Sequence, residues 1–106
     1  MEKTLTIDGR QIKFKSSGGN LMRYRNQFNA DFLVDLSMLR ATENNYKNFS
    51  YAAVERIIWT LAKTADPSIP DPQTWYDSFD SFPFKQVFSE LAELIKDATE
   101  TIVKNE

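Results

Sequence analysis

The chain has 106 residues, 42 % of them apolar, and a formal charge of −2. That suits one domain over 1–106 with a real core and excludes a disordered tail. It contains neither cysteine nor histidine, which excludes disulfides, thiolate or imidazole metal sites and histidine catalysis, and leaves carboxylates for hard cations.

The first clear element is KTLTIDGRQIKFK. Lys3 to Ile7 alternates, Asp8-Gly9 suits a type I′ turn, and Gln11 to Lys15 alternates again. The spacing predicts a β-hairpin over 1–15 with Leu5, Ile7, Ile12 and Phe14 on one face. Thr, Lys and Arg are expected on the other. A lone hairpin is marginal in water, so it must pack on helices or another strand. SSGG, 16–19, reads as a linker, being too short for a phosphate loop and lacking its lysine.

Helices are expected from residue 20 onward. The first runs Asn20–Phe28, with Leu21, Tyr24 and Phe28 at helical spacing, and Asn29 ends or bends it. Asp31 caps the next, DFLVDLSMLR. There Phe32, Leu36 and Leu39 form one stripe, and Val34 and Met38 lie on another side. Two apolar sides mean a central helix or one covered by a partner, and central burial is the favoured reading. After the polar TENNYKN, Ser50 caps SYAAVERIIWTLAKTA, with Phe49 as a hydrophobic staple. Val54, Ile57, Ile58, Leu61 and Ala65 share one face, Arg56 and Lys63 lie opposite, and Trp59 sits on the flank.

All four prolines fall in DPSIPDPQTWYDSFDSFPF, 66–84. Asp66-Pro67 ends a helix, because a residue before proline avoids helical geometry. Asp71-Pro72 starts a short one, PQTWYDSFD. Ser81 is expected to cap a last helix, 82–103, with Pro83 in its first turn. Phe84, Val87, Phe88, Leu91, Leu94, Ile95, Ala98 and Ile102 form its apolar side. Glu90, Glu93, Asp97 and Glu100 read as a solvated face rather than a metal site. The fold class is thus α+β: an N-terminal β-hairpin followed by a mostly helical part of about five helices, 20–106.

Charge is polarised. Residues 1–25 carry six Lys/Arg against two Asp/Glu, and residues 66–106 three against nine. Pairing of the two ends within one fold is the favoured reading; head-to-tail association of copies into a homo-oligomer is the other. Lys13, Lys15, Arg23 and Arg25, with Tyr24 and Phe28, invite a nucleic-acid reading, but no helix-turn-helix or aromatic sheet supports it. Asp77 and Asp80 are three apart without an evident cleft, so no enzyme is expected. Trp59, Trp75, Tyr76 and Phe79 are the candidate partner-binding residues, since Trp and Tyr are enriched at hot spots. No run reaches the roughly 18–20 apolar residues of a membrane span. The start MEKTLTIDGR lacks a signal-peptide pattern, so the expected location is the cytosol.

The order of LTIDGRQIKFK, VERIIWTLAKTAD, a proline loop, TWYDSFDSFPF and VFSELAELIKDA resembles the tail assembly chaperones of long-tailed phages and prophages of Gram-positive bacteria. The resemblance covers nearly the whole chain. It implies a non-enzymatic protein without a cofactor that coats the tape measure protein in the host cytoplasm. It further implies help in recruiting tail tube protein, absence from the finished virion, and in many members a longer form made by ribosomal frameshift. Two alternatives stand beside it: a small phage structural protein (tail completion or head–tail connector subunit), and a small nucleic-acid-binding regulator.

Overall fold

The computed structural model describes residues 1–45 and 47–100. Strands β1 (Glu2–Ile7) and β2 (Arg10–Lys15) form an antiparallel hairpin, followed by six helices. These are α1 (Asn20–Phe28), α2 (Phe32–Ala41), α3 (Tyr51–Ala65), α4 (Pro72–Asp77), α5 (Phe84–Glu90) and α6 (Ala92–Thr99). The architecture is α+β, a hairpin on a mostly helical body.

Asp8 and Gly9 have φ of 53° and 74°, the two positive values that a type I′ turn needs. The turn sets the register: Ile7 faces Arg10, Leu5 faces Ile12 and Lys3 faces Phe14. Facing residues in an antiparallel pair share one side of the sheet. Ile7 and Phe14 are buried there, and Leu5 and Ile12 pack at the margin. Lys3 and Arg10 depart from expectation, since the register places both on the inner side. The Arg10 guanidinium there lies 4.1 Å from the Phe79 ring centre and donates to Ser78 Oγ at 3.0 Å.

The hairpin packs through β2 on α3, the centre of the fold. Ala53, Val54, Ile57, Ile58, Trp59, Thr60, Leu61 and Ala62 of α3 are all buried. That exceeds one stripe, so cover must come from several sides: β2, α1, α2 and α5 supply it. Local signals fix the helix ends. Ser50 accepts from Ala53 N, Asp31 from Leu33 N and Val34 N, and Asp71 from Thr74 N. Asn29 closes α1 in the left-handed conformation.

Three expectations need correction. Ser81 caps nothing: α5 begins after Pro83, with no side-chain cap. Phe82 precedes a proline and so avoids the helical region, which delays the start. The single last helix is two, divided at Leu91, whose N–H is shared among the Val87, Phe88 and Ser89 carbonyls. The bend brings Val87, Leu91, Leu94 and Ile95 all into the core. Ile102 and Val103 lie outside the described residues. Finally, α2 is not centrally buried. Phe32, Leu36 and Leu39 face inward, while Val34 and Met38 are each 57 % exposed.

The turn can be tested by substitution. A Cβ at Gly9 or Gly18 meets nothing within 4 Å, but Gly9 alone of the two has positive φ. Gly9→Ala should lose about 1 kcal/mol in urea unfolding, the cost of a left-handed non-glycine residue, and Gly18→Ala should be near neutral.

Candidate binding surface

The aromatic residues of 75–84 form one cluster. Trp75 meets Tyr76, Phe79 and Phe82 edge-on, with ring centres 4.9, 5.1 and 5.8 Å apart. Phe84 closes on Phe82 at 4.7 Å and on Tyr76 at 5.3 Å. Such geometries add about 0.5–1.5 kcal/mol per pair beyond burial. The hairpin tip is fastened to this cluster by Arg10 and by Asp8, which accepts from Asp80 N at 2.9 Å. The prolines and rings therefore share one stretch because that stretch forms the seam between hairpin tip and helices.

This placement buries Trp75 and Phe79 and leaves Tyr76, Phe82 and Phe84 partly exposed. Trp59 and Trp75 are 2 % exposed and Phe79 7 %. Tyr76 is half-buried, its hydroxyl donating to Glu55 O at 2.6 Å. Trp75, Tyr76 and Phe79 are brought together. Trp59 stands apart, packed edge-on against Phe28 at 5.6 Å, its Nε1 donating to Pro70 O at 3.0 Å. Trp59, Trp75 and Phe79, so enclosed, offer a partner no anchor in this conformation, whereas Tyr76 keeps a partly exposed edge beside Pro72 and Gln73.

Lys63 reinforces the Trp59 contact, donating to the Pro67 and Ile69 carbonyls at 2.7 Å each. Asp66 folds the loop back by accepting from Ser68 N and Oγ, and these bonds hold its carboxyl below the usual range.

The polar centre of the helical part is Tyr24, Asp35 and Arg56, one from each of α1, α2 and α3. Arg56 pairs with Asp35 at 3.0 Å and donates to the Tyr24 oxygen at 3.1 Å, while the Tyr24 hydroxyl donates to Asp35. Tyr24 is fully buried, and burial above all, then the bond to Asp35, raises its ionisation above the usual 10. Burial raises Tyr76 as well. Tyr24 is thus no base-stacking ring, and Arg23 donates to Thr64 Oγ1, so the proposed nucleic-acid residues do not form one open surface.

The carboxylates are spread along the outside. Glu90 meets Lys3 at 3.3 Å, Glu100 meets Arg40 at 3.4 Å, and Asp97 accepts from Ser16 Oγ at 2.6 Å. The first joins the basic start to the acidic end within one chain. Among the described residues, no group of three or more acidic side chains could hold a metal ion. Nor is any helix there long and apolar enough to cross a membrane.

What remains apolar and exposed is mainly the outer side of α2. Val34 and Met38, one turn apart, are joined by Leu33 at 45 % exposure. Neither large-ring burial nor charge marks this side; the signal was the second apolar pair in DFLVDLSMLR, which stays exposed among the described residues. No protein-family model, curated protein or solved structure matches the chain.

Two outcomes are expected. Asp35→Ala should cost about 2 kcal/mol, because it leaves a half-buried Arg56 unpaired, whereas Arg40→Ala, at a more exposed pair, should cost below about 0.5 kcal/mol; urea unfolding of both checks this. In alkali, a phenol whose folded pKa is raised stabilises the fold fully below its unfolded pKa, and that stability is lost as pH rises past it. Stability should therefore decline above pH 10, with Tyr24 and Tyr76 forming phenolate only as the helical circular-dichroism signal falls.

Proposed function

We propose that this protein is a chaperone of phage tail assembly that covers the tape measure protein in the bacterial cytoplasm. In this reading it helps bring tail tube subunits to that core and leaves before the virion is complete. The carrying observation is the open apolar side of α2, with Leu33, Val34 and Met38 facing solvent. Residues at i and i+4 on one helix suit a groove shared with another amphipathic helix. Methionine adapts to varied side chains along a long partner. The partner's identity comes from the sequence resemblance.

On this reading each copy binds weakly. Three side chains bury far less than the roughly 1,200–2,000 Å² of a stable interface. Many copies on one long helix would still hold it, through effective concentration. The partners that follow are the tape measure protein, the tail tube protein, a frameshifted longer form and further copies of the chain itself. The work is binding, with no catalytic step.

Co-expression with a tape measure protein of a long-tailed phage, then size exclusion of the soluble fraction, tests this. Wild type should render the long protein soluble and co-elute in many copies. Val34→Asp with Met38→Asp should abolish co-elution while leaving the melting curve within about 0.5 kcal/mol of wild type, as surface changes do. Trp59→Ala and Trp75→Ala should instead unfold the protein, losing about 3–5 kcal/mol each. Detection of the chain in purified particles would favour a structural subunit.

A further inference from the structure

The hairpin is a two-stranded sheet, and among the described residues β1 pairs with β2 alone. Its other edge can be read from the register. The bond from Ser16 N to Met1 O, 2.9 Å, makes Met1 and Ser16 a hydrogen-bonded pair. Such pairs alternate along an antiparallel ladder, so Lys3, Leu5 and Ile7 turn their backbone groups toward β2. Thr4 and Thr6 turn theirs away. Gln11 Nε2, donating to Thr6 Oγ1 at 3.0 Å, fits the close side-chain spacing of a non-bonded pair. Among the described residues, the outward N–H groups of Thr4 and Thr6 donate no hydrogen bond and their C=O groups accept none.

This edge is not bare. A cleft of about 300 Å³ runs beside it, with Thr4, Leu5, Thr6 and Ile7 on one wall and Pro83, Gln86, Val87 and Glu90 on the other. The second wall is the start of α5 and its length. The Lys3–Glu90 pair spans the walls at 3.3 Å near one end. The cleft therefore offers four backbone groups that are unpaired among the described residues, with the partly exposed Leu5 side chain beside them.

We propose that this cleft docks one extended peptide segment from a partner protein, taken up as a third strand on β1. The complement of unpaired strand groups is another strand, and alternate side chains of an added strand enter the flanking groove. Uncharged, β-branched residues suit the inner positions beside Leu5. The same geometry argues against a second copy. An antiparallel β1–β1 pair about a two-fold axis would bring both α5 helices to the same side of the joined sheet, into one space. A strand of about 20 Å also buries too little for a stable dimer, which suits a segment of a longer partner. The proposal concerns a surface separate from the outer side of α2 and stands independently of the chaperone reading.

Nuclear magnetic resonance of the labelled full chain tests it, with an acetylated, amidated hexapeptide of alternating threonine and valine as probe. Saturable shifts are expected at Thr4–Ile7 and at Gln86–Glu90, with a dissociation constant on the order of 0.1–1 mM for so short a strand. N-methylation of the peptide amides on one alternating set should weaken binding at least tenfold, and on the other set should not. Thr4→Pro removes an outward N–H that the hairpin does not use, a placement that edge strands tolerate. Gln86→Trp fills the cleft from an exposed position on α5 and leaves the hairpin's own ladder unaltered. Each should reduce binding at least tenfold. Absence of shifts at millimolar peptide, equal binding by both methylated peptides, or unaltered binding by a folded Gln86→Trp would overturn the proposal. So would a wild-type dimer that Thr4→Pro converts to monomer, since the edge would then belong to a second copy.

Discussion

A helix buried on one side can rest on a surface, but α3 is buried on nearly all sides and must be enclosed. Eight of its side chains are removed from water, and no single neighbour can cover them. The hairpin, α1, α2 and α5 are each placed by this need. The enclosure includes Arg56, a partly buried cation. Its charge is accommodated where Asp35 and Tyr24 converge. Hydrophobic burial drives the enclosure without direction, whereas this polar knot needs fixed geometry and so sets how α1 and α2 lie across α3.

Most of the architecture was legible because its signals are local. Asp8-Gly9 specifies a turn by backbone sterics. Asp31, Ser50 and Asp71 specify helix starts by the reach of a short side chain to a nearby N–H. What the sequence concealed was set at long range. Nothing in SELAEL breaks a helix, yet Leu91 departs from helical geometry so that two short helices follow the curve of the core. Arg10 read as a residue of the outer face until the register fixed its side of the sheet, where it stays exposed. The cap at Ser81 failed for a local reason that was readable: Phe82 stands before Pro83.

The candidate site was harder to read, because aromatic residues serve cores and interfaces equally well. Trp59 and Trp75 could not be told apart from anchors by type. Their hydrogen bonds and ring contacts place them inside. The second apolar pair of α2, Val34 and Met38, carried the better signal, since a helix already supplied with one buried stripe has no internal use for another. A pattern left over after the core is accounted for marks a surface more reliably than a residue type does.

The hairpin's attachments span most of the chain: Lys3 reaches Glu90, Ser16 reaches Asp97 and Asp8 reaches the backbone of Asp80. Synthesis proceeds from the first residue, so the hairpin leaves the ribosome well before the segments that cover it exist. A two-stranded hairpin alone is marginal, and its apolar side waits unshielded in that interval. Closure of the core therefore waits until residues 80–97 have emerged, and the nascent chain, more than the folded protein, is the species at risk of aggregation.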